Sequence, residues 1–241
     1  SEQQAAALVQ YNIIPQLVKA ISIGSEFPNY SYPSVFNPVP TINPFYRLNL
    51  FPSKKNGVWI NTFQITEVDQ LSRNGVIHHT SGIAIPPQRT IWDRINTDSQ
   101  LAYLKAAILR ADSIPETPRN PHIQRILSSP GISITVFAPT DDAFKNVLKE
   151  LIKNALISQG INADVALLMA TNLSSTPDVF NNADLFPVLS AGKIKALLAY
   201  HGLGTSTFKN QLAFTNNFPT EATLFPTFLS DTIPGTNVEI K

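Results

Sequence analysis

The stretch ITVFAPTDDAFKNVL, Ile134 to Leu148, decides how the chain is read. It opens as an apolar, β-branched run. Pro139 ends that run, Thr140 offers a capping hydroxyl, and Asp141 and Asp142 stand side by side ahead of an amphipathic pattern. Ala143, Phe144, Val147, Leu148, Leu151, Ile152, Ala155 and Leu156 recur at three- and four-residue spacing, which predicts a core helix from Asp141 to Leu156. The two carboxylates then fall in the first turn, where the helix dipole favours negative charge. An acid/base pair needs two carboxyls facing one substrate, whereas helix neighbours point about 100° apart. A calcium loop needs the spaced oxygens of DxDxDG, which is absent. The stretch reads as strand, stop and core helix, with structural acids.

Upstream of it, helices are expected at Ile91 to Ile95, Ser99 to Ala111 and His122 to Leu127. Downstream, ALLAYHGLG (Ala196 to Gly204) resembles ALVQYNIIP (Ala7 to Pro15) at an offset of 196 − 7 = 189 residues. The same offset pairs Ser1 with Ser190, each placed to cap an apolar helix. A stretch rich in proline and aromatics follows each copy. After the first come three strand candidates, RLNLF, GVWINTFQI and GVIHHTSGIAI, with turn signals at Asn56-Gly57 and Asn74-Gly75. After the second the chain reaches NVEIK with no such strands expected. The chain thus reads as the back half of one unit, residues 1–87, then a second unit from 90 to 241 that lacks its closing strands.

Composition agrees with a folded α+β protein. Of 241 residues, 43% are apolar and 15% charged, enough to bury a core in one large domain or two small ones. The net charge is +1 and Lys54-Lys55 is the only adjacent basic pair, so there is no electrostatic case for nucleic acid. No run approaches the roughly 18 apolar residues of a membrane span, and no signal peptide stands at Ser1. Any targeting segment or lipid anchor is expected outside this sequence. The absence of cysteine excludes disulfides, thiolate metal sites and a cysteine nucleophile. Nineteen prolines against ten glycines point to long ordered loops.

Three places carry a family resemblance. TVFAPTDDAF (Thr135 to Phe144), LLAYHGLG (Leu197 to Gly204) and NGVIHHTSGIAIPP (Asn74 to Pro87) resemble the signatures and the closing strand pair of the fasciclin domain, a family of extracellular adhesion and bacterial surface proteins. The resemblance implies a twisted β-sandwich or wedge with helices packed at one end, in tandem units. It marks Thr140, Asp141, Tyr200, His201, Asn74, Gly75 and His78 as structural motif residues. The first copy departs from it, with Tyr11-Asn12 in place of Tyr-His, and its proline-rich stretch from Phe27 to Tyr46 is longer than the family pattern needs.

Catalytic and metal chemistry find no foothold in these motifs. His78 and His79 are neighbours on a strand and face opposite ways, so they cannot chelate one ion; one should pack inward and the other face solvent. His201 ends an apolar helix, where an imidazole can bond backbone and complement the C-terminal dipole. There is no GxSxG elbow, and Gly192-Lys193 lacks the remainder of a phosphate loop. No enzyme activity, cofactor or metal is expected. Asn29-Tyr-Ser31 and Asn172-Leu-Ser174 match a glycosylation pattern that arises often by chance.

The aromatic stretch remains. Phe27, Tyr30, Tyr32, Phe36, Phe45 and Tyr46 interleave with prolines, and can either cover the core or serve as candidate partner contacts. The expected function is a non-enzymatic adhesion or protein-interaction module at the cell surface or outside the cell, on the outer membrane if bacterial. Its partner would be a protein or an envelope or matrix component. Two alternatives stand beside it: a structural subunit of a cell-envelope outer-membrane assembly, and a carbohydrate- or lipid-binding surface protein.

Overall fold

The computed structural model describes residues 1–25, 30–54, 56–212, 217–219 and 237–239. Phe27 and Asn29 lie outside them. The chain is a mixed α+β protein whose sheet-rich part precedes its helix-rich part.

The first part opens with helix α1, Glu2–Tyr11, capped by Ser1, whose hydroxyl accepts from the Gln4 N–H. Strand β1 (Tyr32–Pro33) pairs antiparallel with β2 (Asn49–Leu50). A four-stranded antiparallel sheet follows in the order β3 (Pro52–Lys54), β4 (Val58–Ile60), β5 (Phe63–Ser72) and β6 (Gly75–Thr80). Asn56 and Gly57 turn β3 into β4 with φ of 53° and 105°, the left-handed conformations that the Asn-Gly signal anticipates.

Three strand expectations are corrected. The run GVWINTFQI is two strands, because Asn61 adopts φ 52° and reverses the chain between Ile60 and Phe63. At Asn74-Gly75 the turn sits one residue earlier: Ser72 pairs with Gly75, so Arg73 and Asn74 form the loop and Gly75 opens β6. The closing strand pair is a single strand, since the chain leaves the ladder after Ser81, whose N–H donates to the Gln64 carbonyl at 2.8 Å. Its continuation is held by a side chain instead, as shown below.

The second part carries α2 (Ile91–Thr97), α3 (Ala102–Ala111), α4 (Ile123–Ser128), β7 (Thr135–Val136), α5 (Asp141–Ser158), α6 (Ala163–Leu173), α7 (Ala191–Tyr200) and β8 (Gly202–Leu203). β7 pairs antiparallel with β8. A short α8 (Lys209–Leu212) follows, and two further strands, β9 (Asn217–Pro219) and β10 (Asn237–Glu239), pair antiparallel in the region where no strands were expected.

α3 begins at Ala102 rather than Ser99 because the Asp98 side chain accepts from the Gln100 N–H and holds the chain in a turn. α5 buries a narrower stripe than its pattern suggests: Phe144, Leu148 and Ile152 are buried, while Val147 and Leu151 are 52% and 45% exposed. α6 is apolar on nearly every side, which hides the helical period; Asn162 caps it by accepting from the Asp164 N–H.

The cores of the two parts differ in size. Around α3, seventeen buried apolar residues form one cluster that includes Tyr103, Leu104, Ile108, Phe144, Ile152, Phe180 and Leu198. In the first part Tyr11, Leu50 and Ala84 form a buried cluster of three, with Phe36, Leu48, Ile60 and Phe63 packed around it. Val18, Ala20, Ile23 and Ile65 of the first part are buried outside that cluster.

Candidate functional site

The acidic pair of the opening stretch divides its labour. Thr140 caps α5, accepting from the Ala143 N–H. Asp141 lies in the first turn of α5 but turns its carboxylate to a different helix, accepting from the Tyr103 N–H at 2.9 Å, while its own N–H donates to the Gln100 carbonyl at 2.9 Å. The N-cap residue of α3, Leu101, has no side chain able to do this. Asp141 therefore satisfies one of the free N–H groups at the start of α3 from 38 residues away. Asp142 is 90% exposed at its side chain and reaches only Lys145, at 3.5 Å. Asp112 repeats the device, its two oxygens accepting from the Ile123 and Gln124 N–H groups, both at 2.8 Å, at the start of α4. Asp141 and Asp112 are thus committed to backbone groups, whereas Asp142 contacts a lysine on its own helix.

Tyr11-Asn12 and Tyr200-His201 occupy matching helix ends with opposite consequences. The Tyr11 hydroxyl is buried, donating to the Asn49 carbonyl at 3.0 Å and accepting from the Asn61 amide at 3.3 Å. Burial raises its pKa above the usual tyrosine value. The Asn12 amide donates to the Leu8 and Ala84 carbonyls, both at 2.8 Å, and its oxygen accepts from the Ala84 N–H at 3.3 Å. Asn12 is thus the clamp that holds the strand-like tail after β6 against α1. A histidine at this position could not supply both the carbonyl oxygen and the NH₂ that this pairing uses.

At the second helix end the His201 carbonyl accepts from the Phe137 N–H at 2.9 Å, extending the β7–β8 ladder. Its ring stands edge-on to Tyr200, and burial holds its imidazole below the usual histidine value against an opposing backbone hydrogen bond with Phe137. His201 also borders an apolar cavity of ≈ 80 Å³ between α3, α4, β7 and α7, lined by Leu104, Ile108, Ile126, Val136 and Leu198. Lys195 lines it too. Its ammonium donates to the Pro121 carbonyl at 2.6 Å, and burial lowers its pKa against the pull of Asp112 and Glu116.

His78 and His79 part as expected. The His78 Nε2–H donates to the Val18 carbonyl at 2.9 Å, and its Nδ1 accepts from the Asp69 N–H at 3.3 Å. Asp69, at φ 57°, accepts in turn from the Ala20 N–H at 2.9 Å, so the bulged β5–β6 hairpin is tied to the segment after α1. His79 is exposed and pairs with Glu67 at 3.1 Å. Asn74 is exposed at the hairpin tip beside Gly75. The Asn172 pattern lies in α6 with Ser174 buried, an unfavourable geometry for a modifying enzyme.

The aromatic stretch divides into packed and exposed residues. Phe36 packs on the Tyr11 cluster, and Tyr32 sits in β1 opposite Leu50. Tyr30 lies over Gly24, where a Cβ would stand 2.5 Å from its ring. Tyr46 donates to the Pro130 carbonyl and so joins the two parts of the chain, which also meet where Phe51 and Phe208 lie 5.6 Å apart. Ile42 and Phe45, by contrast, are 83% and 89% exposed. They sit on a loop closed by its own polar side chains: the Asn37 amide donates to the Asn43 carbonyl, and the Asn37 and Asn43 oxygens accept from the Val39 and Phe45 N–H groups. None of the aromatic residues from Tyr30 to Tyr46 lines the cavity beside His201.

No protein-family model matches the chain, and no curated protein matches it significantly. No helix among the described residues is long and apolar enough to cross a membrane.

Proposed function

We propose that the chain is a non-enzymatic adhesion or protein-interaction module of a cell-surface or extracellular protein, built from fasciclin-like units in tandem. The fasciclin reading is supported by the three motifs and by the structural use of their residues: Thr140 and Asp141 cap helices, His78 ties the β5–β6 hairpin to the segment after α1, and the His201 carbonyl extends a ladder. The observation that carries the functional reading is the loop that presents Ile42 and Phe45. Two large apolar side chains stand at 83% and 89% exposure on a backbone already fixed by prolines and asparagine bonds. Binding there would cost little further ordering, the condition under which a few apolar anchors supply most of an interface's affinity.

Beads coated with the chain test this reading by their adhesion to one another and to cells of the source organism. Replacing Ile42 and Phe45 together by serine should abolish adhesion and leave the melting temperature unchanged. Unchanged adhesion in that variant, or saturable turnover of a small molecule abolished by a point substitution, would overturn it.

A second reading, a subunit of a larger envelope assembly, is favoured by one observation: the outer side of α1 is bare. Val9 is 59% exposed, and Ile13 just beyond the helix is 47% exposed. In this reading that side is covered in the assembled protein.

A further inference from the structure

The two copies of the repeated helix serve as controls for each other. α1 and α7 are both ten-residue helices with a serine cap. The offset of 189 residues places Glu2, Ala5, Ala6 and Val9 where α7 carries Ala191, Ile194, Lys195 and Leu198. In α7 all four are buried; in α1 all four are exposed. The other side reverses the pattern, with Tyr11 3% exposed and its counterpart Tyr200 36% exposed. The two copies together show two sides of this helix under cover, and the side that α7 covers is open in α1.

What covers the front of α7 is plain. Ile194 and Leu198 belong to the same buried cluster as Leu104, Ala107, Ile108 and Ala111 of α3. Past the helix the copies differ: Gly202 and Leu203 are buried in the ladder with β7, whereas the carbonyls of their counterparts Ile13 and Ile14 accept from the Val35 and Gln16 N–H groups.

We propose that the bare side of α1, running through Ala5, Ala6 and Val9 to Ile13, is a docking seat for a helical layer built like residues 91–189 of this chain. That layer would set a helix of the α3 kind, with small apolar residues at its centre, along α1. The proposal rests on the assembly reading above and names the partner's chemistry. Its seat is apolar apart from Glu2 at the start of the helix. Lys195 reaches the Pro121 carbonyl in the covered copy, but Ala6 stands in its place in α1, so the docking layer must present no buried oxygen there. A second copy of the chain does not meet this need, because its own layer is already seated on its α7.

The test uses the chain's own repeat register. A second copy of residues 91–189 is fused directly ahead of Ser1, so that its last residue, Leu189, precedes Ser1 as it precedes Ser190, and Ala6→Lys supplies the missing donor. Native-state hydrogen exchange then reads both helices, with α7 as the internal measure of folding. The α1 amides should slow by about tenfold or more relative to the unfused chain, and Val9→Asp in the fusion should reverse this. The fusion without Ala6→Lys should gain less. Equal α1 exchange in fused and unfused chains, with α7 still protected, would overturn the proposal. So would a concentration-dependent dimer of the unfused chain that Val9→Asp dissociates, since the occupant would then be a second copy. Either failure leaves the adhesion reading standing, because that reading is tested at Ile42 and Phe45.

Discussion

Asp141 and Asp142 are adjacent and identical in chemistry, yet replacing each by alanine should have very different consequences. Asp141 gives a charged acceptor to the Tyr103 N–H at 2.9 Å, at the start of a helix that has no capping side chain of its own. A hydrogen bond to a charged group contributes about 1.5–3 kcal/mol, and a first-turn carboxylate adds about 0.3–1 kcal/mol through the dipole of α5. Asp141→Ala should therefore cost roughly 2–4 kcal/mol. Asp142 keeps only the dipole contribution and an exposed contact to Lys145 at 3.5 Å, so its alanine variant should cost under about 1 kcal/mol. Asp141→Asn, which retains an acceptor without the charge, should fall between them. Urea denaturation followed by far-UV circular dichroism measures all three, with the slope checked for constancy so that midpoints convert to free energy. Equal losses for the two alanine variants would refute the argument, because they would make both residues simple dipole charges.

Three further outcomes follow from the same geometry. Asn12→Ala removes the clamp on Ala84 and should cost about 1–3 kcal/mol, with faster hydrogen exchange at Ala84 and no change in α7. Gly82→Ala would place a Cβ 2.4 Å from the Phe63 ring, which packs on the small first core, and should cost about 1–3 kcal/mol by thermal melting. The third concerns pH. Burial depresses the His201 pKa, so the unfolded chain binds a proton that the folded chain resists; the stability this residue contributes is complete above the unfolded value of 6.5 and is lost as pH falls through the lower folded value. Urea midpoints measured downward from pH 7 should therefore fall less in His201→Gln than in the parent chain.

Local features were legible in the chain because their causes are local. The Thr140 cap, the α5 period, the opposed faces of His78 and His79, and the Asn56-Gly57 turn each depend on residues a few positions apart. What escaped was set at a distance or lacked a period. Asp141 serves Tyr103 across 38 residues and Asn12 serves Ala84 across 72, so neither partner can be named from spacing. α6 carries apolar residues all round, and its Leu167, Leu168 and Met169 remain 43%, 65% and 40% exposed, so no stripe marks it as a helix. Asn61 interrupts a run of strand formers by taking a left-handed φ that asparagine tolerates but does not demand. The surfaces fared the same way: the aromatic stretch was visible as a composition, but only packing separates Phe36 and Tyr46, which are engaged, from Ile42 and Phe45, which are not.

The central physical claim is that the side of the repeated helix covered in α7 is open in α1. Residue-resolved hydrogen exchange on the unmodified chain tests it most directly. The account predicts that amides within Ala191–Tyr200, seated against α3, exchange only through large-scale unfolding, whereas those within Glu2–Tyr11 exchange faster through local opening. Equal protection of the two helices would contradict it.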